Sequence, residues 1–170
     1  MFQVGDLVLL PAHGICEIDD VCDRTILGVT RKYYIMHPLE DIHLSISAPV
    51  DGDNVTALVT VSREQAEDLL ESFRKPGVDW IDKNTLRDKE YLDMIKTGDR
   101  PTIARLVNTL LKRKYELEAE NNKLSIQDVK LLEYAQSIVF TELALSLHTK
   151  VDDIAARVNG IIKEGMRQNN

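Results

Sequence analysis

The chain has 170 residues, of which 44% are hydrophobic, 29% charged and 5% aromatic, with a formal net charge of −7. A soluble chain of this size buries roughly 70% of its unfolded surface, enough for one or two compact cores. The charge level without a polar low-complexity tract argues against disorder, and no apolar run approaches the ~20 residues of a bilayer span.

The opening Met1-Phe2-Gln3-Val4-Gly5-Asp6 has no basic region and no apolar signal core. Nothing therefore suggests export, and a cytoplasmic location is expected. Cys16 and Cys22 lie six apart, an unusual spacing for zinc, and two thiols cannot complete four ligands. They are expected as reduced, packing residues.

Residues 1–75 carry six Lys/Arg against thirteen Asp/Glu and so hold the whole excess of −7, whereas residues 76–170 carry fifteen of each. Residues 80–114 are locally basic, with nine cations against five carboxylates. An acidic front and a locally basic middle suggest two modules with different partners.

Apolar runs from Leu7 to Val61 are short and strand-like. Cys16 and Ile18 alternate with Glu17 and Asp19. Arg31 to His37 is rich in β-formers around Tyr33-Tyr34-Ile35. Ile42, Leu44 and Ile46 alternate with His43, Ser45 and Ser47, and Ala57 to Val61 is a further candidate strand. Breakers separate these runs at Pro11 to Gly14, Gly28, Pro38 to Asp41 and Pro49 to Asn54.

After Ser62 the period changes. Ser62 and Gln65 form a capping-box pattern opening a helix to about Arg74, and Lys75-Pro76-Gly77 ends it. Trp80 then stands alone before a charged stretch to Gly98. Ile103, Leu106, Val107, Leu110 and Leu111 recur at helical spacing after Asp99 and Pro101. Ser125 with Asp128 caps a helix striped by Leu131, Leu132, Ala135, Ile138, Val139 and Leu143. Thr149 with Asp152 caps a last one through Ile154, Val158, Ile161 and Ile162. The expected organisation is α+β in two domains: a small antiparallel β-barrel or strongly bent sheet over residues 1–62, then an all-helical domain over 63–170. Residues 63–79 of the latter form a connecting helix and linker.

At this point a family is recognisable. Phe2-Gln3-Val4-Gly5-Asp6 followed by Pro11-Ala12-His13-Gly14 resembles the opening of the CarD-like bacterial transcription factors, which include the group called CdnL. The polymerase-interacting domain of transcription-repair coupling factor shares it. Further marks agree in order: Arg24-Thr25-Ile26-Leu27-Gly28, Tyr33-Tyr34, Ala48-Pro49, Trp80, Lys96-Thr97-Gly98-Asp99, Leu106 to Arg113, and Glu142-Leu143-Ala144-Leu145. The resemblance spans roughly residues 1 to 155.

It implies a Tudor-like N-terminal domain that binds the β subunit of RNA polymerase. It also implies a helical C-terminal domain that contacts promoter DNA at the upstream edge of the transcription bubble and stabilises the open complex. Neither enzymatic activity nor a cofactor is implied. Ser47 stands where the family often has a basic residue, and Ile81-Asp82 intervene before Lys83 where basic residues usually follow the tryptophan directly.

A small β module has no deep pocket, but its edge can pair with a partner's strand. Arg24, a lone cation after the acidic run 19–23, is the leading candidate for a polymerase contact, against a solvated or locally neutralised arginine. Tyr33, Ile46 and Ser47 are candidates on the same surface, although Tyr33 and Ile46 could equally be core. Trp80 is either a core plug or a wedge packed against unstacked bases at the minor-groove side of the fork. Lys83, Arg87 and Lys89 would then supply phosphate contacts that position it without reading sequence, against the plainer reading of a solvated face. Arg105, Lys112 and Arg113 lie on the exposed side of a helix and read as solvated. A chain of net charge −7 should bind free DNA weakly, as suits an adaptor delivered by polymerase.

His13, His37, His43 and His148 are scattered, and no Gly-rich phosphate loop or Gly-x-Ser-x-Gly turn is present. No catalytic residue, cofactor, membrane or small-molecule substrate is expected. His37, Asp41 and His43 could flank one hairpin as metal ligands, but histidines on an exposed hairpin are more often surface residues, so no metal is expected. The competing function is a protein–protein adaptor whose helical domain is only a scaffold. RNA binding by the β module is opposed by its charge.

Overall fold

The alternation at Cys16 and Ile18 falls on the longest strand of an antiparallel sheet. A computed structural model of the chain describes residues 1–10, 12–58 and 61–169. Two compact units divide it, Met1–Val59 and Thr60–Asn170. The first holds β1 (Leu7–Leu10), β2 (Gly14–Ile26), β3 (Val29–Pro38), β4 (Ile46–Pro49) and β5 (Thr56–Ala57), in the order β4-β3-β2-β1-β5. Every pairing is antiparallel. Among the described residues no pairing joins the edge strands β4 and β5. β5 contributes only two residues to the sheet.

One irregularity in β2 sets which side chains reach the core. Ile18 pairs with Met36, but Asp20 rather than Asp19 pairs with Ile35, so the register slips by one residue. Val21 is thereby placed opposite Tyr34, and it packs against the cluster of Val8, Leu10, Cys16, Ile18, Tyr34, Met36 and Ala48. Without the bulge the pleat would put the Asp20 carboxylate opposite Tyr34 in that apolar cluster, at a desolvation cost the slip avoids. Burial also pushes the Cys16 thiol above its ordinary pKa, as suits a packing residue.

Beyond the bulge β2 and β3 continue as a hairpin closed by Leu27-Gly28, between the paired Ile26 and Val29. Both turn residues have positive φ, 51° and 78°, as a type I′ turn requires. Gly28 meets this freely; Leu27 does not, and its side chain is 99% exposed.

The alternation at Ile42, Leu44 and Ile46 does not form one strand. β4 begins only at Ile46, and Ile42 and Leu44 are exposed in the preceding turn, where Asp41 accepts from the His43 amide. The Asx turn wins over a three-residue apolar alternation. Of the expected strand at 57–61, Ala57 closes β5, while Val59 and Thr60, like Pro11, lie outside the described residues.

The second unit holds α1 (Arg63–Glu71) with a 3-10 turn to Arg74, α2 (Asn84–Thr97), α3 (Arg100–Ala119), α4 (Ile126–Ser146) and α5 (Val151–Gln168). Both hydrogen bonds of the Ser62–Gln65 capping box are present. Asp99 caps α3 with Pro101 in its first turn, and Ser125 caps α4. The start of α5 differs from expectation: Lys150 is its N-cap residue, and the Thr149 hydroxyl bonds Asp153 rather than Asp152. The stripes of α3 and α4 are buried as expected, with Ile154, Val158 and Ile162 of α5; Ile161 is half-buried. Among the described residues no helix is long and apolar enough to cross a membrane.

Replacing Leu27 by Asn, which accepts a left-handed backbone, should stabilise the protein by about 0.5–1 kcal/mol. Urea unfolding measures this; an unchanged or lowered midpoint contradicts the turn assignment.

Candidate nucleic-acid interface

Between the 3-10 turn and α2 the chain has no regular structure, so its carbonyls must find partners elsewhere. Side chains of α2 and α3 supply them. Asn108 donates from its amide to the Phe73 and Lys75 carbonyls at 2.7 and 3.2 Å, Arg105 to Gly77 at 3.2 Å, and the Thr109 hydroxyl to Val78 at 2.7 Å. The Tyr91 hydroxyl donates to the Asp79 carbonyl at 2.7 Å. Burial raises the Tyr91 phenol above its ordinary value of 10.0. It stays protonated, and its stabilising contribution is complete below about pH 10 and falls as pH rises above that. Gly77 lies flat on α3: a Cβ there would sit 2.2 Å from the Thr109 hydroxyl and 2.8 Å from the Arg105 carbonyl. Only glycine fits that approach.

This clamped segment ends in Trp80. The indole is half-buried, meets the Tyr91 ring edge-on at 6.3 Å and 66°, and lies under the Arg87 guanidinium at 4.3 Å from the ring centroid. The Arg113 guanidinium stands 5.3 Å from the same centroid. Cation–π contacts of this kind contribute about 0.5–2 kcal/mol each, more as the cation loses water.

Arg87 was expected at the surface on phosphate. It is instead 4% exposed. Nε and Nη2 bond the two Asp128 oxygens at 2.8 and 2.9 Å, Nη2 also bonds Asn84, and Nη1 bonds the Ile81 and Asp82 carbonyls. All five N–H groups are committed. Its role in the site is to hold the indole and the following backbone. The Asp128 hydrogen bond is the largest cause holding its pKa above the ordinary arginine value. Asp128 in turn accepts from the Ser125 hydroxyl at 2.8 Å within the first turn of α4, where a carboxylate also meets the positive end of the helix dipole.

The other expected cations do not join Arg87 in one patch. Lys83 precedes α2, Lys89 lies two residues beyond Arg87 on the helix, and both are exposed. Two positions along a helix is a turn of about 200°, so Lys89 points away from the buried arginine. Lys112 and Arg113, read as solvated from sequence, are half-buried beside the indole.

In the first unit, Arg24 donates from Nη1 to the Ser47 hydroxyl at 2.9 Å across the exposed side of the sheet. Tyr33 is half-buried, on the opposite side of the pleat from the buried Tyr34. Ser47 pairs in register with Ile35 on that outer side. Ile46 packs against the core cluster and so leaves the candidate surface. Arg24, Tyr33 and Ser47 thus share the outer side next to the edge strand β4. His37 pairs with Asp19 at 2.8 Å, and among the described residues no three side chains gather as metal ligands.

The arrangement defines a two-unit protein: a small sheet with a polar outer side at one edge, and a helical scaffold that holds one indole at its surface. Residues 2–60 match the CarD-like/TRCF RID domain and residues 68–159 the CarD C-terminal domain. The second match alone covers more than half of the chain, and the chain belongs to the CarD-like family of transcription factors. It is also similar to the Bacillus subtilis (strain 168) protein named "Putative transcription factor YdeB", with 25% identity over 155 residues, 84% of this chain and 90% of that protein.

Truncating Asp128 to Ala leaves a buried guanidinium unpaired and should cost about 3–5 kcal/mol in urea unfolding. The double replacement Arg87→Met with Asp128→Leu should recover most of that loss. It still removes the cation over Trp80, so the native fluorescence of the sole tryptophan should change. Equal losses in the single and double variants would contradict the buried-pair assignment.

Proposed function

We propose that the protein is a transcription regulator that binds the β subunit of RNA polymerase through its first unit and stabilises the promoter open complex through Trp80. The carrying observation is the half-buried indole fixed by the Arg87–Asp128 pair and by side-chain bonds to its own loop. A ring held in this way meets unstacked bases with little ordering cost of its own. Inserting an apolar wedge costs a few kcal/mol of unstacking. Where polymerase has already opened the duplex that cost is largely met, and the ring opposes reannealing.

Polymerase binding is supported by the match of residues 2–60 to the RID domain and by the edge strand β4, whose main-chain groups can receive a partner strand. Arg24, Tyr33 and Ser47 lie beside that edge and would select the partner. Lys83 and Lys89 would approach phosphates, which position a protein on DNA without reading sequence. The net charge of −7 makes free-DNA binding weak, so the DNA contact depends on delivery by polymerase. No catalytic or cofactor chemistry enters this role, and the protein would work in the cytoplasm.

Two variants test the reading. Trp80→Ala, shown folded by circular dichroism, should shorten the open-complex lifetime about tenfold, as a loss of ~1.4 kcal/mol that is absent from the closing transition state requires. An unchanged lifetime would reduce the helical unit to a scaffold. Arg24→Glu should abolish capture by purified polymerase; undiminished capture would place the partner surface elsewhere.

A further inference from the structure

The buried stripe of α4 runs through Leu131, Ala135, Ile138 and Val139, yet the helix also carries apolar residues on its outward side. Ile126 is 77% exposed and Val129 38% exposed. They stand three apart and Glu133 follows Val129 by four, so the three share one face. A helix with apolar residues on both sides has a second surface to cover.

That side of α4 and the C-terminal half of α3 border a groove of about 630 Å³, whose apolar residues are Leu124, Val129 and Leu132. A second groove of about 380 Å³ shares Lys114, Glu133 and Gln136 with it and continues to Phe140 and to Val151 of α5. Between Val129 and Phe140 the trough follows α4 for about three helical turns, roughly 16 Å. Neither groove includes Trp80 or the α3 residues beside it.

The charged groups of the first groove are Lys114, Glu118, Lys123 and Glu133. Lys114 and Glu118 stand 4.0 Å apart across one turn of α3. Lys123 and Glu133 are both exposed, and among the described residues neither has an ion-pair partner. Lys123 lies in the turn before α4 and Glu133 two turns into the helix, with Val129 near the midpoint. A face with a cation at one end, a carboxylate at the other and an apolar centre becomes its own complement after a half-turn. That is the condition for an isologous two-fold interface, in which one surface supplies both halves.

We propose that α4 docks antiparallel on α4 of a second copy of this chain. Val129 meets its own counterpart near the two-fold axis, Ile126 is covered, and each Lys123 faces Glu133 of the partner subunit. The pairing goes beyond the proposed function, since it uses neither Trp80 nor the first unit.

Sedimentation velocity of the full chain over a dilution series tests it, with circular dichroism to check that each variant folds. The unaltered chain should show a reversible monomer–dimer equilibrium. Lys123→Glu and Glu133→Lys should each weaken the dimer about tenfold, because two exposed ion pairs become two repulsions. Mixing these two variants should restore the dimer, since every facing pair is then opposite in sign. Val129→Glu sets like charges against each other at the axis and should leave a monomer. An unaltered chain that stays monomeric up to ~1 mM overturns the inference. So does a dimer that survives Val129→Glu unchanged, which would place the interface elsewhere, and so do mixed variants that fail to pair.

Discussion

The buried pair of Arg87 and Asp128 is the interaction on which the helical unit's surface depends. Removing two charges from water is expensive, and the pair tolerates it only because its geometry is bidentate and the remaining donors and acceptors are met. Ser125 caps the carboxylate, while Asn84 and the Ile81 and Asp82 carbonyls take the rest of the guanidinium. The pair links residues 41 apart and so ties α2 to the first turn of α4. A second arginine–carboxylate fork, Arg100 with Glu142 at 2.6 Å, fastens the start of α3 to α4. Apolar helix stripes tolerate sliding and rotation; two directional forks do not. The register of α2, and with it the seat of Trp80, follows from them.

A fixed indole is a different object from an exposed one. The segment before it has no regular hydrogen bonding of its own, yet Arg105, Asn108, Thr109 and Tyr91 bond its carbonyls in sequence, and Gly77 lets it press onto α3. That rigidity is built by helices whose cores are already packed, so the aromatic side chain costs little further ordering when it meets a partner. The acidic balance of residues 1–75 against the neutral balance of 76–170 suits the proposed division of labour, one unit docking on protein and the other on nucleic acid brought near it.

Much of the fold was legible because the signals were local. Period-two and helical stripes, the Ser62–Gln65 box and the Ser125 cap all depend on neighbours within four residues. α2 was not legible: its buried face is Arg87, Tyr91 and Ile95, and a charged residue at the first position breaks the apolar stripe that announces a helix. The reason Arg87 can be inside is Asp128, 41 residues on, which the sequence offered only as a helix cap. The register slip at Asp19 was likewise hidden, since it is set by the pairing with β3. Of the site, Trp80 stood out as the single indole, and Arg24, Tyr33 and Ser47 were found together. Ile46 was left open between surface and core because alternation does not tell which face is core; it packs against the core cluster. Asn108 and Thr109 were missed because polar residues inside an apolar helix read as interruptions until the loop they hold is seen.

The central claim is that this indole is presented to melted promoter strands. The direct measurement places the photoreactive residue p-benzoyl-phenylalanine at position 80 and irradiates the complex of the full chain with RNA polymerase and promoter. The account predicts a crosslink to DNA at the upstream edge of the bubble, lost when the promoter is held closed. Crosslinks to polymerase alone, or none, would contradict it.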